Sequence, residues 1–257
     1  MSINDKPIGF FDSGVGGISV LKEAFKLLPK EDFLYYGDSK NAPYGTKKVE
    51  EVKALTFNAT DFLMNKGIKA LVVACNTATS VTINDLRETY DIPIIGIEPA
   101  LKPAVELKKS GKIVIMATPM TLAEKKFANL MDLYRETEDI EPLPCPGLVE
   151  FIEKGMVSGN EVYNYLKDKF KKYNNKKISA IVLGCTHYPF IKETLRKVID
   201  NKVYIIDGSL GTSKELKRQL EDRNMLRKES RIGKVTIFNS KEDKDIIDLS
   251  YNLLNMK

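Results

Sequence analysis

An apolar run of strand length that ends in a cysteine occurs twice in this chain. The first copy reads Ala70-Leu-Val-Val-Ala-Cys75-Asn-Thr-Ala-Thr79 and the second Ala180-Ile-Val-Leu-Gly-Cys185-Thr-His-Tyr-Pro189. Neither run alternates polar with apolar residues, so each strand needs cover on both faces, which predicts a parallel sheet enclosed by helices. Similar runs recur at 8–11, 33–36, 94–97, 113–117, 203–206 and 235–238. Helical periodicity fills the intervals at 20–28, 49–66, 82–89, 124–131, 162–172 and 191–199. Strand alternating with helix specifies an α/β fold.

The two halves keep register. Residues 8–12 have their counterpart at 113–117, Cys75 at Cys185, and 94–97 at 204–207. The expectation is two pseudo-symmetric lobes, each a mostly parallel sheet flanked by helices, with the functional site in the cleft between them. Residues 1–98 plus 208–257 make the first lobe and 99–207 the second. Ligands of open parallel sheets bind at the carboxyl ends of the strands, so a molecule held between the lobes meets one thiol from each. Two matched acid/base groups on opposite sides suit a reaction that treats both faces of one carbon alike.

Composition narrows the partners. The formal net charge is +5, but basic and acidic residues are interspersed, as in Lys22-Glu23 and Lys30-Glu31. That pattern reads as solvated helix faces, so no nucleic-acid partner is expected. No window approaches the roughly 18 apolar residues of a membrane span, and the first residues lack the basic-then-apolar pattern of a secretory leader. An odd set of 3 cysteines fits a reducing compartment with free thiols, and the expected location is the cytoplasm.

Several motifs carry polar chemistry. Phe10-Phe-Asp12-Ser13-Gly-Val-Gly-Gly17 runs from a strand end into a glycine-rich turn. Its amides suit an anion with Asp12 facing the cleft, or Asp12 and Ser13 simply cap the next helix. Tyr36-Gly-Asp38-Ser-Lys-Asn-Ala-Pro-Tyr44-Gly45 is a loop richer in polar groups than a connector needs. Cys75 and Cys185 precede Asn76-Thr77 and Thr186-His187 at strand-to-helix turns, where amide dipoles favour a thiolate. With no Cys-x-x-Cys and 1 histidine, a structural zinc site is not expected. A protease-like dyad of Cys185 and His187 is also disfavoured, because residues two apart on an extended segment do not face each other. His187 suits an acid or shuttle near neutrality. Cys145, between two prolines, reads as structural, and Glu150 and Glu153 stand as equal candidates for a cleft carboxylate.

These motifs together resemble the glutamate racemases of the aspartate/glutamate racemase superfamily. The resemblance rests on Asp12-Ser-Gly-Val-Gly-Gly17, Tyr36-Gly-Asp38 with Ala42-Pro-Tyr-Gly45, Ala74-Cys-Asn-Thr-Ala-Thr79, Cys145-Pro with Glu153, and Leu183-Gly-Cys-Thr-His-Tyr-Pro189. It implies a cofactor-independent isomerase that interconverts L- and D-glutamate for peptidoglycan synthesis, acting as a homodimer. It implies Cys185 as the base for L-glutamate and Cys75 for D-glutamate, with Asp12, Asp38, Glu153 and His187 as auxiliary acid/base groups. Implied substrate contacts are Asp12, Ser13, Tyr44, Gly45, Asn76, Thr77, Thr186 and His187, with Thr121 in a stretch, Ala117-Thr-Pro-Met-Thr121, that departs from the family's glycine-containing pattern. Related racemases of aspartate or hydantoins share the twin cysteines, and a non-catalytic amino-acid clamp would use the same two-lobed frame.

Overall fold

The computed structural model describes residues 2–123, 125–134 and 136–256. Glu124, in the helix expected at 124–131, lies outside the described residues, as do Met1 and Lys257 at the ends of the first expected lobe. Nine strands are present among the described residues: β1 (Ile8–Asp12), β2 (Phe33–Gly37), β3 (Ala70–Val73), β4 (Ile94–Gly96), β5 (Lys112–Ala117), β6 (Ile140–Pro144), β7 (Ile178–Leu183), β8 (Tyr204–Asp207) and β9 (Val235–Asn239). They form a five-stranded sheet in the order β4-β3-β1-β2-β9 and a four-stranded sheet in the order β6-β5-β7-β8. Every pairing is parallel. The order β4-β3-β1-β2 therefore reappears as β8-β7-β5-β6, and the inner strands β1, β3, β5 and β7 are buried almost throughout. Continuous apolar runs produce this directly, since a strand between two helical layers has no wet face.

β6 has no counterpart among the strands expected from sequence. Its residues Ile-Glu-Pro-Leu-Pro carry two prolines and a charge, a composition confined to sheet edges because proline donates no ladder hydrogen bond. The repeat register would have found it, because β6 falls within two residues of where β2 maps in the second half. The helix expected at 82–89 begins earlier, at Asn76, and runs to Thr89. Its first turn, Asn76-Thr-Ala-Thr79, is buried on all sides, so it shows none of the amphipathic period by which a helix is recognised. The helix expected at 191–199 is a 3-10 turn, Tyr188–Ile191, followed by the short helix Lys192–Arg196.

The chain after β8 returns to the first sheet. Helix Ser209–Asp222 packs against helix Ile18–Leu27, where Ser213 Oγ donates to the Val20 carbonyl at 3.4 Å, and β9 adds to the edge of β2. At the amino ends of β1, β2 and β3 this return is pinned by a buried ammonium. Lys69 Nζ donates to Glu31 Oε2 at 2.6 Å, to the Asn4 carbonyl at 2.8 Å and to the Met225 carbonyl at 2.8 Å. An ammonium has three protons, and all three are used. Glu31 Oε1 in turn accepts from the Arg227 amide at 2.7 Å.

Removing one partner of such a pair strands the other charge away from water. Lys69→Met is therefore expected to lower unfolding free energy by about 3–5 kcal/mol in urea titrations. The double variant Lys69→Met/Glu31→Leu is expected to recover part of that loss.

Candidate active site

The carboxyl ends of the two sheets face each other across a small closed cavity of about 10 Å³. Ser13, Pro43, Tyr44, Gly45, Cys75, Asn76 and Thr77 line it from one side, and Thr118, Val149, Gly184, Cys185, Thr186 and His187 from the other. The strand ends that deliver these groups are equivalent in the repeat: Ser13 and Thr118 follow β1 and β5, while Cys75 and Cys185 follow β3 and β7. Both thiols are buried and unbridged. Cys75 is the N-cap of helix Asn76–Thr89, and its sulfur accepts from the Ala78 amide at 3.4 Å and lies 3.5 Å from Ser13 Oγ.

Cys185 meets His187 directly, with Sγ 3.7 Å from Nδ1. This corrects the expectation that residues two apart do not face each other. The segment is not extended; His187 has helical backbone angles (φ −71°, ψ −34°) and opens the 3-10 turn Tyr188–Ile191. The other ring nitrogen, Nε2, is 2.6 Å from Glu153 Oε1, which also accepts from the Val15 amide at 2.6 Å. Of the two carboxylates on helix Leu148–Glu153, Glu153 is thus the one that reaches the site, one contact behind its lining through His187. The anion held by the glycine-rich turn is the protein's own: Val15 binds Glu153, and Gly14 N–H binds Asp12 Oδ2 at 3.0 Å. Gly16 is required by close approach, because a Cβ there would collide with the His187 ring.

These contacts set the charges. Burial alone would raise the Glu153 carboxyl and discharge His187, but the pair outweighs it. Glu153 is held below the ordinary carboxylate range by His187, and His187 is held well above the ordinary imidazole value by Cys185 and Glu153. Around Cys75 the balance runs the other way. Desolvation, reinforced by the negative charge of Asp12, pushes its thiol up to about 12. Asp12, also raised by burial, accepts from Thr186 Oγ1 at 3.0 Å, so a first-sheet carboxylate holds a residue adjoining the second thiol.

The remaining residues anticipated from sequence stand one contact behind the lining. Asp38 Oδ2 accepts from Tyr44 O–H at 2.6 Å. Thr121 Oγ1 lies 3.2 Å from Thr77 Oγ1 and 3.0 Å from Thr118 Oγ1, closing a buried triangle of hydroxyls with the 3.2 Å contact between Thr77 and Thr118. Pro43, Thr118, Val149 and Gly184 line the cavity without being among the site residues expected from sequence. Thr118 was within reach of the sequence, since extending the register of 8–12 with 113–117 by one residue pairs it with Ser13. Val149 is an ordinary core residue of helix Leu148–Glu153 and carries no sequence signal.

The profile of the Asp/Glu/Hydantoin racemase family matches residues 17–210. A glutamate racemase of Clostridium botulinum is 87% identical over 257 residues, covering 100% of both chains. The chain belongs to the Asp/Glu/Hydantoin racemase family. Among solved structures of the same family, the glutamate racemase of Francisella tularensis in complex with D-glutamate superposes with a TM-score of 0.84 at 30% identity, over 99% of this chain and 95% of that one. The Escherichia coli glutamate racemase in complex with L-glutamate and the activator UDP-MurNAc-ala gives a TM-score of 0.86 at 27% identity, over 97% and 94%. Among the described residues, no helix is long and apolar enough to cross a membrane.

The sign of the Glu153–His187 contribution follows from its two shifts. The depressed carboxyl stabilises the fold above its ordinary value of 4.5 and loses that contribution as pH falls towards its folded value. The raised imidazole contributes fully below its ordinary value of 6.5 and loses that contribution as pH climbs through its folded value. The stability difference between wild type and Glu153→Gln is accordingly expected to be largest between those two values and to shrink as pH climbs through the folded value of His187, as read by urea unfolding across pH.

Proposed function

We propose that the chain interconverts L- and D-glutamate by a two-base mechanism that uses Cys75 and Cys185 and no cofactor. The observation that carries this reading is the meeting of two thiols in one small buried cavity, one from each half, on equivalent strand ends. A group that removes a proton from one face of Cα and a group that delivers one to the other must flank the carbon in this way. The D-glutamate complex of the Francisella relative and the L-glutamate complex of the Escherichia relative support glutamate as the substrate.

In this reading Cys185 takes the α-proton of L-glutamate while Cys75 protonates the opposite face, and the roles reverse for D-glutamate. Burial and the charge of Asp12 keep the proton on Cys75, which leaves the free site supplied with a donor for the L-to-D direction. His187 lies where it can exchange a proton with Cys185, and Glu153 holds its ring. Asp12 is the carboxylate set to assist Cys75, since its charge helps hold the proton that this thiol donates.

No lysine or arginine lines the described cavity, so the substrate's carboxylates are met by dipoles. The amides at the start of helix Asn76–Thr89, with the hydroxyls of Ser13, Thr77 and Thr186, suit the α-carboxylate as it gains enolate character. The hydroxyl triangle of Thr77, Thr118 and Thr121 can turn its protons towards the distal carboxylate. Asn76 Oδ1 is buried without a hydrogen-bond partner and provides an acceptor for the α-ammonium. Tyr44 and Gly45 close one wall.

The same reading places residues 1–98 with 208–257 on one side of the substrate and 99–207 on the other. It assigns the product to peptidoglycan synthesis in the cytoplasm and the enzyme to a homodimer, as the resemblance to glutamate racemases implies. Sedimentation equilibrium is expected to return twice the 29.0 kDa chain mass.

Circular dichroism of L- and then D-glutamate with the protein is expected to decay to zero from both sides, with deuterium entering Cα in heavy water. Cys75→Ala and Cys185→Ala are each expected to slow racemisation by at least about 100-fold. Full-rate racemisation by either variant would remove the two-base assignment. Binding of glutamate with no deuterium uptake would make the site a clamp, and turnover of aspartate in preference to glutamate would change the substrate.

A further inference from the structure

The family resemblance implies Asp38 as an acid/base group, and its surroundings describe something else. Asp38 follows β2, where its amide donates to the Asp12 carbonyl at 3.0 Å, and it is buried. Its Oδ1 accepts from Asn41 Nδ2 at 3.0 Å, and its Oδ2 accepts from the same nitrogen at 3.1 Å and from Tyr44 O–H at 2.6 Å. Both oxygens are thus engaged by the carboxylate's own loop. Tyr44 stands between Asp38 and the cavity, its ring tilted against Phe11 with centroids 6.1 Å apart. A phenol has one proton to donate, and this one is committed to the carboxylate. Burial and the adjoining charge of Asp38 hold the Tyr44 hydroxyl far above its ordinary value, so that proton stays in place.

The next residue touches the other half of the molecule. A Cβ on Gly45 would come within 2.6 Å of Thr118 Cβ and 2.7 Å of its Oγ1, so the loop backbone rests on Thr118 with no space between. Asp38, Tyr44, Gly45 and Thr118 form a continuous line from the end of β2 across the cleft to the hydroxyl triangle.

We propose that Asp38 is a positioning residue and not a proton carrier: it clamps the 41–46 loop through Asn41 and Tyr44, and so sets the Pro43–Gly45 wall of the cavity against Thr118. The clamp governs how well the closed cavity grips the substrate, while proton transfer is left to the groups that touch the thiols. This assignment rests on the racemisation reading for its kinetic consequences, whereas the clamp itself can be read without turnover.

The test compares wild type with Asp38→Ala, Asp38→Asn, Tyr44→Phe and the double variant Asp38→Ala/Tyr44→Phe. Losing a buried hydrogen bond to a charged group is expected to raise KM for both enantiomers about 10- to 100-fold, with a smaller effect on kcat. The double variant is expected to be no worse than the weaker single one, and Asp38→Asn, whose amide oxygen still accepts from Tyr44, to recover most of the KM. Both limbs of the pH–rate profile remain. Independently of activity, Asp38→Ala and Tyr44→Phe speed amide hydrogen exchange within 41–46. The proposal is overturned if Asp38→Asn lowers kcat 100-fold or more with KM intact, if it removes a limb of the pH profile, if the single effects multiply, or if exchange in 41–46 is unchanged. A wild type that fails to racemise glutamate removes the functional reading instead, and the exchange result still decides the clamp. If Asp38→Ala does not fold, Asp38→Asn and Tyr44→Phe supply the same contrasts.

Discussion

Two buried carboxylates cross the cleft in opposite directions, and the arrangement of the site depends on them. Asp12 leaves the first sheet to accept from Thr186, beside the second thiol. Glu153 leaves the second half to accept from Val15 and to hold the ring of His187. Each carboxylate is largely shielded from water and divides its bonds between the halves: Asp12 accepts from Gly14 of its own half and Thr186 of the other, and Glu153 is bonded to His187 of its own half and accepts from Val15 of the other. The two sheets are therefore held at one spacing by the cost of leaving these groups unpaired. The collision that bars a side chain at Gly16 belongs to the same constraint, since it keeps the glycine-rich turn against the histidine.

The approximate two-fold repeat makes the thiols equivalent in backbone and unequal in chemistry. Cys75 has a hydroxyl and a helix amide for neighbours, with a carboxylate beyond, and its proton is hard to remove. Cys185 has an imidazole whose basicity is raised by Cys185 itself and by Glu153, against the effect of burial. Burial and Asp12 set the surroundings of Cys75, whereas Cys185 has His187 two residues on, where Thr77 stands in the first half. A repeat can thus supply symmetric placement while the residues around each strand end give the two thiols different surroundings.

Much of this was legible beforehand. Continuous apolar runs predicted parallel, doubly covered strands, and the matched offsets of 8–12, Cys75 and 94–97 predicted two related sheets with thiols at corresponding ends. What escaped did so for identifiable reasons. β6 is a proline-bearing edge strand whose pattern does not resemble that of its interior equivalents. The first turn of helix Asn76–Thr89 is buried all round and lacks a polar face. Glu153 could not be separated from Glu150, because which carboxylate reaches His187 depends on where the 3-10 turn at Tyr188 aims the ring. The contact of Cys185 with His187 hinged on the same backbone angle. Thr118 lies one residue past the end of β5, where the apolar register that marks the repeat stops.

The return of the chain to the first sheet has a consequence for the order in which the molecule takes shape. Strands β5 to β8 and their helices are contiguous in sequence, so their sheet closes from neighbouring segments at small loop-closure cost. The first sheet is different: its edge strand β9, and the segment around Met225 and Arg227 that caps the ammonium of Lys69, come only after the whole second sheet. During synthesis the earlier-made half must wait, with β2 uncovered along one edge and Lys69 short of an acceptor, while the later-made half already has everything it needs. In chain order, the segments that complete the first sheet and its buried ammonium therefore follow the whole of the second sheet.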